Sequence, residues 1–320
     1  TVGRVQTPTL KMLVDRDAKI LRFQKEKYYT VGIHSGSLKA DSGRIADAET
    51  ANSLKEKCTG TTPVCTSVKR EKKTEQPPKL YDLTTLQREA NRLFGFTAKQ
   101  TLDYAQQLYE KKLLTYPRTD SQYLTEDMGQ TAQHLVSDLL GLLPFAQGLD
   151  LTPEVGQILN SKKVSDHHAI IPTGVIPQGL SDNERHVYDL VARRFISVFY
   201  PDCQFATTTV MGKVGDVEFK ATGKEILQPG WRVVYALDQV AEEAKEKDDE
   251  EKVLPAFVKG ETGPHEPTLT EKQTTPPKYY TEATLLRAME TAGKFVEDEE
   301  LRAAMKENGI GRPSSRAGII

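Results

Sequence analysis

Residues 82–121 read DLTTLQREANRLFGFTAKQTLDYAQQLYEKKLLTYPRTDS, and this stretch predicts two helices followed by a non-helical segment. Gly95 follows the first apolar-periodic run, where glycine commonly ends a helix in the left-handed conformation. Thr97 and Gln100 have the spacing of a capping box, in which two side chains satisfy free N–H groups at a helix start. The stretch therefore predicts a helical region, and a tyrosine follows the end of its second helix.

The non-helical segment, LLTYPRTDS, places Tyr116 before a proline and Arg118 two residues later. Pro117 favours extended geometry for the residue before it, and in an extended chain side chains two apart share one side. A phenol is a weak nucleophile until it is deprotonated, and a guanidinium would favour the phenolate or hold a phosphate with two hydrogen bonds. Tyr116 and Arg118 are thus candidates for phosphoryl transfer, and a structural Tyr-Pro turn is the alternative.

Helical patterns also occur at both ends of the chain and in its middle. Residues 7–20 predict a helix with Thr7 as its cap and a proline in its first turn. Ser181 and Glu184 have capping-box spacing. Further helices are predicted at 281–293 and 297–309. The apolar stripe of the middle helix consists of Val187, Leu190, Val191, Phe195 and Val198, and Pro201 closes it.

Strand patterns separate these helical regions. A basic stretch, 69–79, predicts an exposed crossover, and 241–252 predicts a solvated charged loop. The order is helix, strands, helices, strands, helices, which suggests a β region interrupted by a helical domain and flanked by two halves of another. The predicted strands are 28–33, 37–41, 63–71, 205–211 and 216–222, and in the last of these Val217, Phe219 and Ala221 alternate with Glu218 and Lys220.

Composition excludes several classes of protein. The 320 residues carry a net charge of −2, so any nucleic-acid site is a local basic patch. No apolar run is long enough for a membrane span, and no P-loop, HExxH motif or zinc ribbon is present. The three cysteines have no metal-ligand spacing and predict reduced thiols in a cytoplasmic protein.

The stretch SDHHAIIPT, residues 165–173, is a second candidate for chemistry. Neighbouring side chains of a strand point to opposite sides, so His167 and His168 make a poor chelating pair and at most one of them faces a site. That histidine would serve as a proton shuttle or a phosphate contact. A structural histidine bonded to the backbone is the alternative.

Two further stretches, GRVQTP at 3–8 and GIGRPSSRA at 309–317, place an arginine before a helix start rich in Thr or Ser. The free N–H groups of a helix N-terminus attract phosphate, and arginines and hydroxyls add contacts to it. Each stretch is a candidate phosphate contact, and ordinary helix capping is the alternative for each.

Together these motifs resemble the type IA DNA topoisomerases, most closely the topoisomerase III branch. The resemblance covers nearly the whole chain, in motif, order and spacing. It rests on GRVQTPTL, PPKLYDLTTLQREAN (77–91), LLTYPRTDS, DHHAIIPT, and PPKYYTEATLLRAME followed by GIGRPSSRA.

The resemblance implies roles for the candidate residues. Tyr116 would attack a phosphodiester of single-stranded DNA, forming a 5′-phosphotyrosine bond and a free 3′-hydroxyl, and reversal after strand passage would need no ATP. Arg118 would hold the scissile phosphate, and His167 matches the histidine of the family. The residues expected to contact single-stranded DNA are Arg4, Gln6, Thr119, Arg312, Ser314 and Ser315.

The chain departs from the family pattern in one respect. Family members begin with a Toprim domain whose acidic residues bind Mg²⁺, and GRVQTP normally follows that domain. We therefore expect an excised fragment that binds no metal itself, whose full enzyme uses Mg²⁺ on the missing domain. Such a fragment is expected to cleave DNA poorly or not at all on its own.

The family layout predicts a multidomain α+β fold, the type IA topoisomerase core arranged as a segment of a torus. Residues 1–25 with 264–320 would form a split helical domain that binds single strands, 26–77 with 203–263 a β-rich hinge, and 78–202 the helical gate domain that carries the tyrosine. A monomer without membrane contact is expected. The rival hypothesis is a non-catalytic module that binds single-stranded DNA. A tyrosine recombinase lacks support, because its arginine or histidine clusters do not appear in this order.

Overall fold

The computed structural model describes residues 3–35, 38–146, 157–236, 252–295, 299 and 309–320. Nearly all of the predicted helix at 297–309 and of the predicted charged loop at 241–252 lies outside these ranges. The helices and strands follow in the order α1 (Gln6–Leu21), β1 (Lys27–Ser35), β2 (Leu38–Asp41), α2 (Ala48–Cys58), β3 (Val64–Glu75), α3 (Leu83–Phe94), α4 (Ala98–Glu110), α5 (Gly129–Leu142), α6 (Asp182–Ser197), β4 (Cys203–Val214), β5 (Val217–Gln228), β6 (Glu266–Gln273), α7 (Glu282–Glu290) and α8 (Pro313–Arg316).

The strands form one antiparallel sheet with the order β3-β4-β5-β2-β1-β6. One face of β5 is buried through Phe219 and Ala221, as the alternation of apolar and charged residues predicts. These residues pack in one hydrophobic cluster with Val31 and Ile33 of β1. The sheet brings together strands that the helical region separates in sequence.

The strand β6 lies beyond residue 263, where the predicted second half of the β hinge ends. Thr270 and Leu269 of β6 pair with Thr30 and Val31 of β1. The sheet therefore extends to Gln273. The division into three domains stays a prediction.

The helices α3 to α6 enclose the largest hydrophobic cluster, and the end of α3 and the starts of α4 and α6 follow the sequence signals. Gly95 ends α3 with φ 69°, and Thr97 with Gln100 forms the capping box of α4. Ser181 and Glu184 cap α6 in the same way. The apolar stripe predicted for α6 is buried throughout. Local signals thus fixed these helices correctly.

A third, smaller cluster joins the two ends of the chain. Leu285 and Met289 of α7 and Ile310 form its buried part, and Val5 with Met12 of the α1 region packs against them. Segments some 300 residues apart in sequence therefore share one apolar core. This arrangement agrees with a helical unit split between the ends of the chain.

Two local predictions are wrong. Thr7 is the second residue of α1 rather than its cap, and its hydroxyl accepts a hydrogen bond from the Gly3 amide at 3.1 Å. The basic stretch from residue 69 continues β3 as far as Glu75 instead of forming a crossover. β3 lies at the edge of the sheet, where charged side chains block pairing with another chain, and this explains its loop-like composition.

Burial and hydropathy agree with the predictions on cysteines and membrane spans. Cys58, Cys65 and Cys203 are buried free thiols, and burial raises the pKa of each. Within the described ranges, no helix has the length and apolar character needed to cross a membrane.

Candidate active site

A left-handed turn after α4 leads into the segment that carries Tyr116. Lys112 has φ 60°, a conformation that costs a non-glycine residue about 1–2 kcal/mol. The Thr173 hydroxyl donates to the Lys112 carbonyl at 2.5 Å. The helix therefore ends at Glu110, and the chain reverses before it reaches the tyrosine.

Three hydrogen bonds fix the residue before the tyrosine. The Thr115 amide donates to the Ile171 carbonyl at 3.0 Å, and the Ile171 amide donates to the Thr115 hydroxyl at 3.0 Å. The same hydroxyl lies 3.2 Å from the Ala169 carbonyl, to which it donates. Tyr116 therefore leaves the protein core at a defined point beside the histidine-containing segment.

Burial alternates along the segment after Tyr116, as it does in an extended chain. Tyr116 itself is half-buried. The buried positions are Pro117, Thr119 and Ser121, and the exposed positions are Arg118 and Asp120. The exposed guanidinium of Arg118 makes no ion pair with any residue in the described ranges. It is therefore open to an anionic ligand.

Two aromatic side chains contact the ring of Tyr116. The His167 ring lies 4.5 Å from it between centroids and is tilted by 49°. The Tyr109 ring of α4 lies at 5.4 Å in an edge-on arrangement. Because His167 is exposed and Tyr109 is 40% exposed, the cluster is accessible from solvent. The structure thus brings together the tyrosine and the histidine that the sequence predicts as catalytic.

Thr119, predicted as a DNA contact, is 2% exposed and faces the protein interior. Its hydroxyl donates to the His167 carbonyl at 2.8 Å and accepts from the Ser121 amide at 3.1 Å. Its own carbonyl accepts from the Leu83 amide at 3.0 Å, at the start of α3. In this position Thr119 connects the tyrosine segment to the histidine segment and to the start of α3.

Replacing Thr119 by valine is expected to destabilise the protein. The isosteric change leaves the His167 carbonyl and the Ser121 amide without their partner, at a cost of roughly 1–3 kcal/mol in the free energy of unfolding. Urea denaturation of Thr119→Val measures this loss, and Thr209→Val on the sheet is the matched control. Equal midpoints for the two variants would contradict the assigned contacts.

Only one of the two histidines faces the tyrosine, in agreement with the sequence. The His168 ring nitrogen Nδ1 lies 2.8 Å from the Ala169 carbonyl, to which it donates. This bond turns His168 back onto the backbone, while His167 packs on Tyr116.

The two predicted phosphate-contact stretches meet in space. Val5 packs in the same hydrophobic cluster as Ile310. Gly311 has φ 71°, and a Cβ added to it would lie only 2.9 Å from Val5 Cγ1. The polar residues of these stretches surround this contact on the protein surface. All of those predicted to bind DNA are exposed: Arg4, Gln6, Arg312, Ser314 and Ser315.

A buried arginine links this surface to α3. Arg316 is 3% exposed, and it donates to the Ile310 carbonyl at 3.0 Å and to the Thr84 hydroxyl of α3 at 3.3 Å. It also approaches Glu290 of α7 at 3.5 Å. Arg88 of α3 pairs with the same carboxylate at 3.2 Å. Charged groups therefore connect α7 and α8 to the helix whose start supports the Tyr116 segment.

Burial shifts the pKa values of the ionisable groups in this network so that the neutral form of each group is favoured. Burial raises the pKa of Glu290, and the Asp82 charge raises it further, while Arg88 and Arg316 lower it. The pKa of Asp82 is also raised by burial. Burial lowers the pKa of Arg316. The connection between the helices is thus sensitive to pH.

We expect the contribution of Glu290 to stability to fall as pH rises above 4.5, its ordinary pKa. A carboxyl with a raised pKa keeps its proton in the folded protein where the unfolded chain has lost it, so the free energy of unfolding falls until the folded pKa is passed. Thermal unfolding of the protein and of Glu290→Gln should therefore show a difference that changes with pH. The exposed Glu218→Gln is the control, and a pH-independent difference for Glu290→Gln would contradict the shift.

No group of three or more His, Cys, Asp and Glu side chains that could hold a metal ion exists among the residues with described coordinates. We assign none of these residues to a metal.

Sequence reasoning missed Tyr109, Thr115 and Arg316. A signal for Tyr109 was available, because it is an exposed aromatic residue in the last turn of a helix, directly before the reactive segment. The roles of Thr115 and Arg316 depend on partners more than 50 residues away and had no local signal.

Comparison with known proteins identifies the family of this chain. The family described as DNA topoisomerase matches residues 1–320. DNA topoisomerase 3 of Bacillus subtilis is 38% identical over an alignment of 337 positions, which covers 99% of this chain and 46% of that protein. DNA topoisomerase 3 of Bacillus licheniformis is 36% identical, with the same coverage. The chain thus spans about half the length of these curated relatives.

A solved structure shows the same fold. Full-length topoisomerase I of Thermotoga maritima matches with a TM-score of 0.74 and 28% identity, over 99% of this chain and 50% of that one. The match of the whole chain to the family, together with the two relatives, confirms the prediction from the motifs. The chain belongs to the DNA topoisomerase family, in its type IA class, and it is similar to the DNA topoisomerase 3 members.

Proposed function

We propose that this chain carries the strand-cleaving tyrosine of a type IA topoisomerase. The Tyr116 oxygen forms a bond to the phosphorus of a single-stranded DNA linkage, and the bond from phosphorus to the 3′-oxygen breaks. The phenol loses its proton, and the departing 3′-oxygen gains one. The energy of the phosphodiester is kept in the 5′-phosphotyrosine link, so the reverse reaction reseals the strand without ATP and allows relaxation or decatenation.

One observation carries this proposal: Tyr116 is half-buried against His167 and is followed by an exposed, unpaired Arg118 in the described structure. The nucleophile is held by packing, so it has few orientations to lose when a substrate binds. Arg118 is free to grip the scissile phosphate with two hydrogen bonds. His167 is placed to contact the same phosphate or to move a proton.

The surface formed by the two ends of the chain is proposed to bind the strand on one side of the cleaved linkage. Its arginines and hydroxyls suit a sugar-phosphate backbone and read no base sequence. Arg4, Gln6, Arg312, Ser314 and Ser315 form this surface, while the buried Thr119 positions the His167 segment.

Strand passage requires the gate helices to separate from α7 and α8, and their interface includes polar contacts that can break and reform. The Glu282 carboxylate of α7 accepts from the Ala98 amide at the start of α4, at 2.5 Å. The Asn91 side chain of α3 accepts from the Ala283 amide at 3.1 Å. Each helix start is thus completed by the opposite unit. This supports a torus segment that opens between these two units.

The remaining properties are proposed from the family. The Mg²⁺ site is proposed to lie in the part of the relatives that this chain does not match. We also propose that the protein works as a monomer in the cytoplasm. The substrate is single-stranded DNA.

A covalent-capture assay tests the proposed function. Labelled single-stranded DNA and Mg²⁺ are incubated with the chain, and with a chimaera in which the chain replaces the matched segment of Bacillus subtilis DNA topoisomerase 3. We expect a denaturation-resistant adduct with the chimaera and little or none with the chain alone. DNA binding without an adduct from a folded chimaera would favour the non-catalytic binding module.

A further inference from the structure

Two lysines converge on one tyrosine in a place that the proposed cleavage mechanism does not use. The Nζ of Lys163 lies 4.9 Å from the centre of the Tyr123 ring and 3.5 Å from its hydroxyl. The Nζ of Lys79 lies 5.1 Å from the same ring centre. Both lysines are exposed, and the tyrosine is half-buried. We name these three residues the lysine–tyrosine patch.

The patch is built on anchored backbone rather than on mobile loops. The buried Arg194 donates to the Lys79 carbonyl at 3.0 Å. The buried Ser121 hydroxyl donates to the Lys163 carbonyl at 2.8 Å and accepts from the Tyr123 amide at 3.1 Å. The bases of all three side chains are therefore held before any ligand arrives. Such preorganisation lowers the entropy cost of binding.

The positive charge of the patch is not neutralised within the described residues. No carboxylate there forms an ion pair with Lys79 or Lys163. The two ammonium groups are at most about 10 Å apart, a separation at which like charges repel. A hydrogen bond from Lys79 is the main cause of the lowered pKa of Tyr123, and Lys163 adds to it.

We propose that the lysine–tyrosine patch binds the phosphodiester backbone of the same DNA strand that Tyr116 cleaves. Two ammonium groups and a phenolic hydroxyl offer donors and positive charge to phosphate oxygens, and their one acceptor, the phenolic oxygen, already faces the Lys163 ammonium group. Both ammonium groups lie over the ring, where a stacked base would have to compete with them, so phosphate rather than a stacked base is the matching ligand. This inference rests on the proposed function.

The patch is within reach of a strand bound at the nucleophile. Tyr123 follows Tyr116 by seven residues, a distance of at most roughly 25 Å even in a fully extended chain. The Tyr123 carbonyl also accepts from the Ala169 amide at 3.0 Å, two residues after His167. The patch and the cleavage site therefore share one rigid framework. We assign the patch the role of holding the strand a few nucleotides from the cut.

The test is the salt dependence of binding of a fluorescein-labelled single-stranded oligonucleotide by the whole chain, without Mg²⁺. If the lysines neutralise one or two phosphates, Lys79→Gln/Lys163→Gln should reduce the slope of log K against log salt by roughly 0.7–1.4. Binding at about 0.1 M salt should weaken roughly 5- to 25-fold. The matched control Lys39→Gln/Lys272→Gln makes the same change in charge on the sheet and should leave both quantities unchanged.

Other outcomes separate the failure of this inference from that of the proposed function. Absence of DNA binding by the unchanged, folded chain would overturn both. Normal binding by the chain with equal losses in the two double variants would overturn the inference alone, because the effect would be general electrostatics. If Lys79→Gln/Lys163→Gln keeps its affinity for DNA but loses affinity for inorganic phosphate, the patch binds a small anion instead. That outcome would also overturn the inference. Circular dichroism shows that each variant is folded.

Discussion

The chimaera carrying Tyr116→Phe is expected to form no covalent adduct with single-stranded DNA, a fall of at least roughly 10³-fold in the rate of cleavage. Loss of a nucleophile removes the only route to the covalent intermediate, and the remaining binding groups do not replace it. The ring stays in place, so its packing on His167 and Tyr109 persists. Affinity for the uncleaved strand should therefore change little.

The measurement is the fraction of labelled DNA that stays with the protein on a denaturing gel, combined with anisotropy for uncleaved DNA. Tyr279→Phe is the control, because it removes the same hydroxyl from a tyrosine that is 66% exposed. An adduct that survives Tyr116→Phe would show that another residue is the nucleophile. If Tyr116→Phe loses both cleavage and affinity for uncleaved DNA, the Tyr116 hydroxyl contributes to binding the DNA before cleavage.

Arg194→Met is expected to cause the largest loss of stability, about 3–5 kcal/mol in the free energy of unfolding. Arg194 of α6 forms an ion pair with Glu89 of α3 and donates to the Tyr81 hydroxyl at 2.9 Å. It also donates to the Lys79 carbonyl at 3.0 Å. The substitution keeps much of the apolar volume but leaves a poorly solvated carboxylate and a carbonyl without this partner.

Urea denaturation measures this loss, and a second variant identifies its cause. Arg194→Met/Glu89→Gln should recover part of the stability, because the uncompensated carboxylate is gone. The control Lys11→Met breaks an exposed pair with Asp15 and should cost less than about 1 kcal/mol. Equal losses for Arg194→Met and Lys11→Met would show that the buried network contributes no more than a surface ion pair.

These two residues illustrate different kinds of predictability. Tyr116 could be selected from the sequence because a proline and an arginine follow it within LLTYPRTDS. That motif is one of five that occur in a specific order along the chain. Arg194 could be placed on a helix, yet nothing in the helical pattern distinguishes it from Arg193. Its importance comes from Glu89 and Lys79, which precede it by more than 100 residues.

The sequence by itself determined the helices α1, α3, α4, α6 and α7, most strands and the family, while α2 and α5 were not predicted. Helix caps such as Ser181 with Glu184 act over three residues, and the alternation in β5 acts over two, so both can be seen in a short window. The error at β3 has the same origin, because an exposed edge strand has no apolar alternation to detect. The type IA motifs were equally local.

Only the tertiary structure decided which of these residues meet. Packing placed His167 on Tyr116, brought Val5 to Gly311, turned Thr119 inward and directed Lys79 and Lys163 onto one ring. The physical reason is that each contact joins segments separated by tens to hundreds of residues. Such contacts form when hydrophobic faces are buried and backbone groups find partners across the core, and a local pattern contains neither the partner nor the distance.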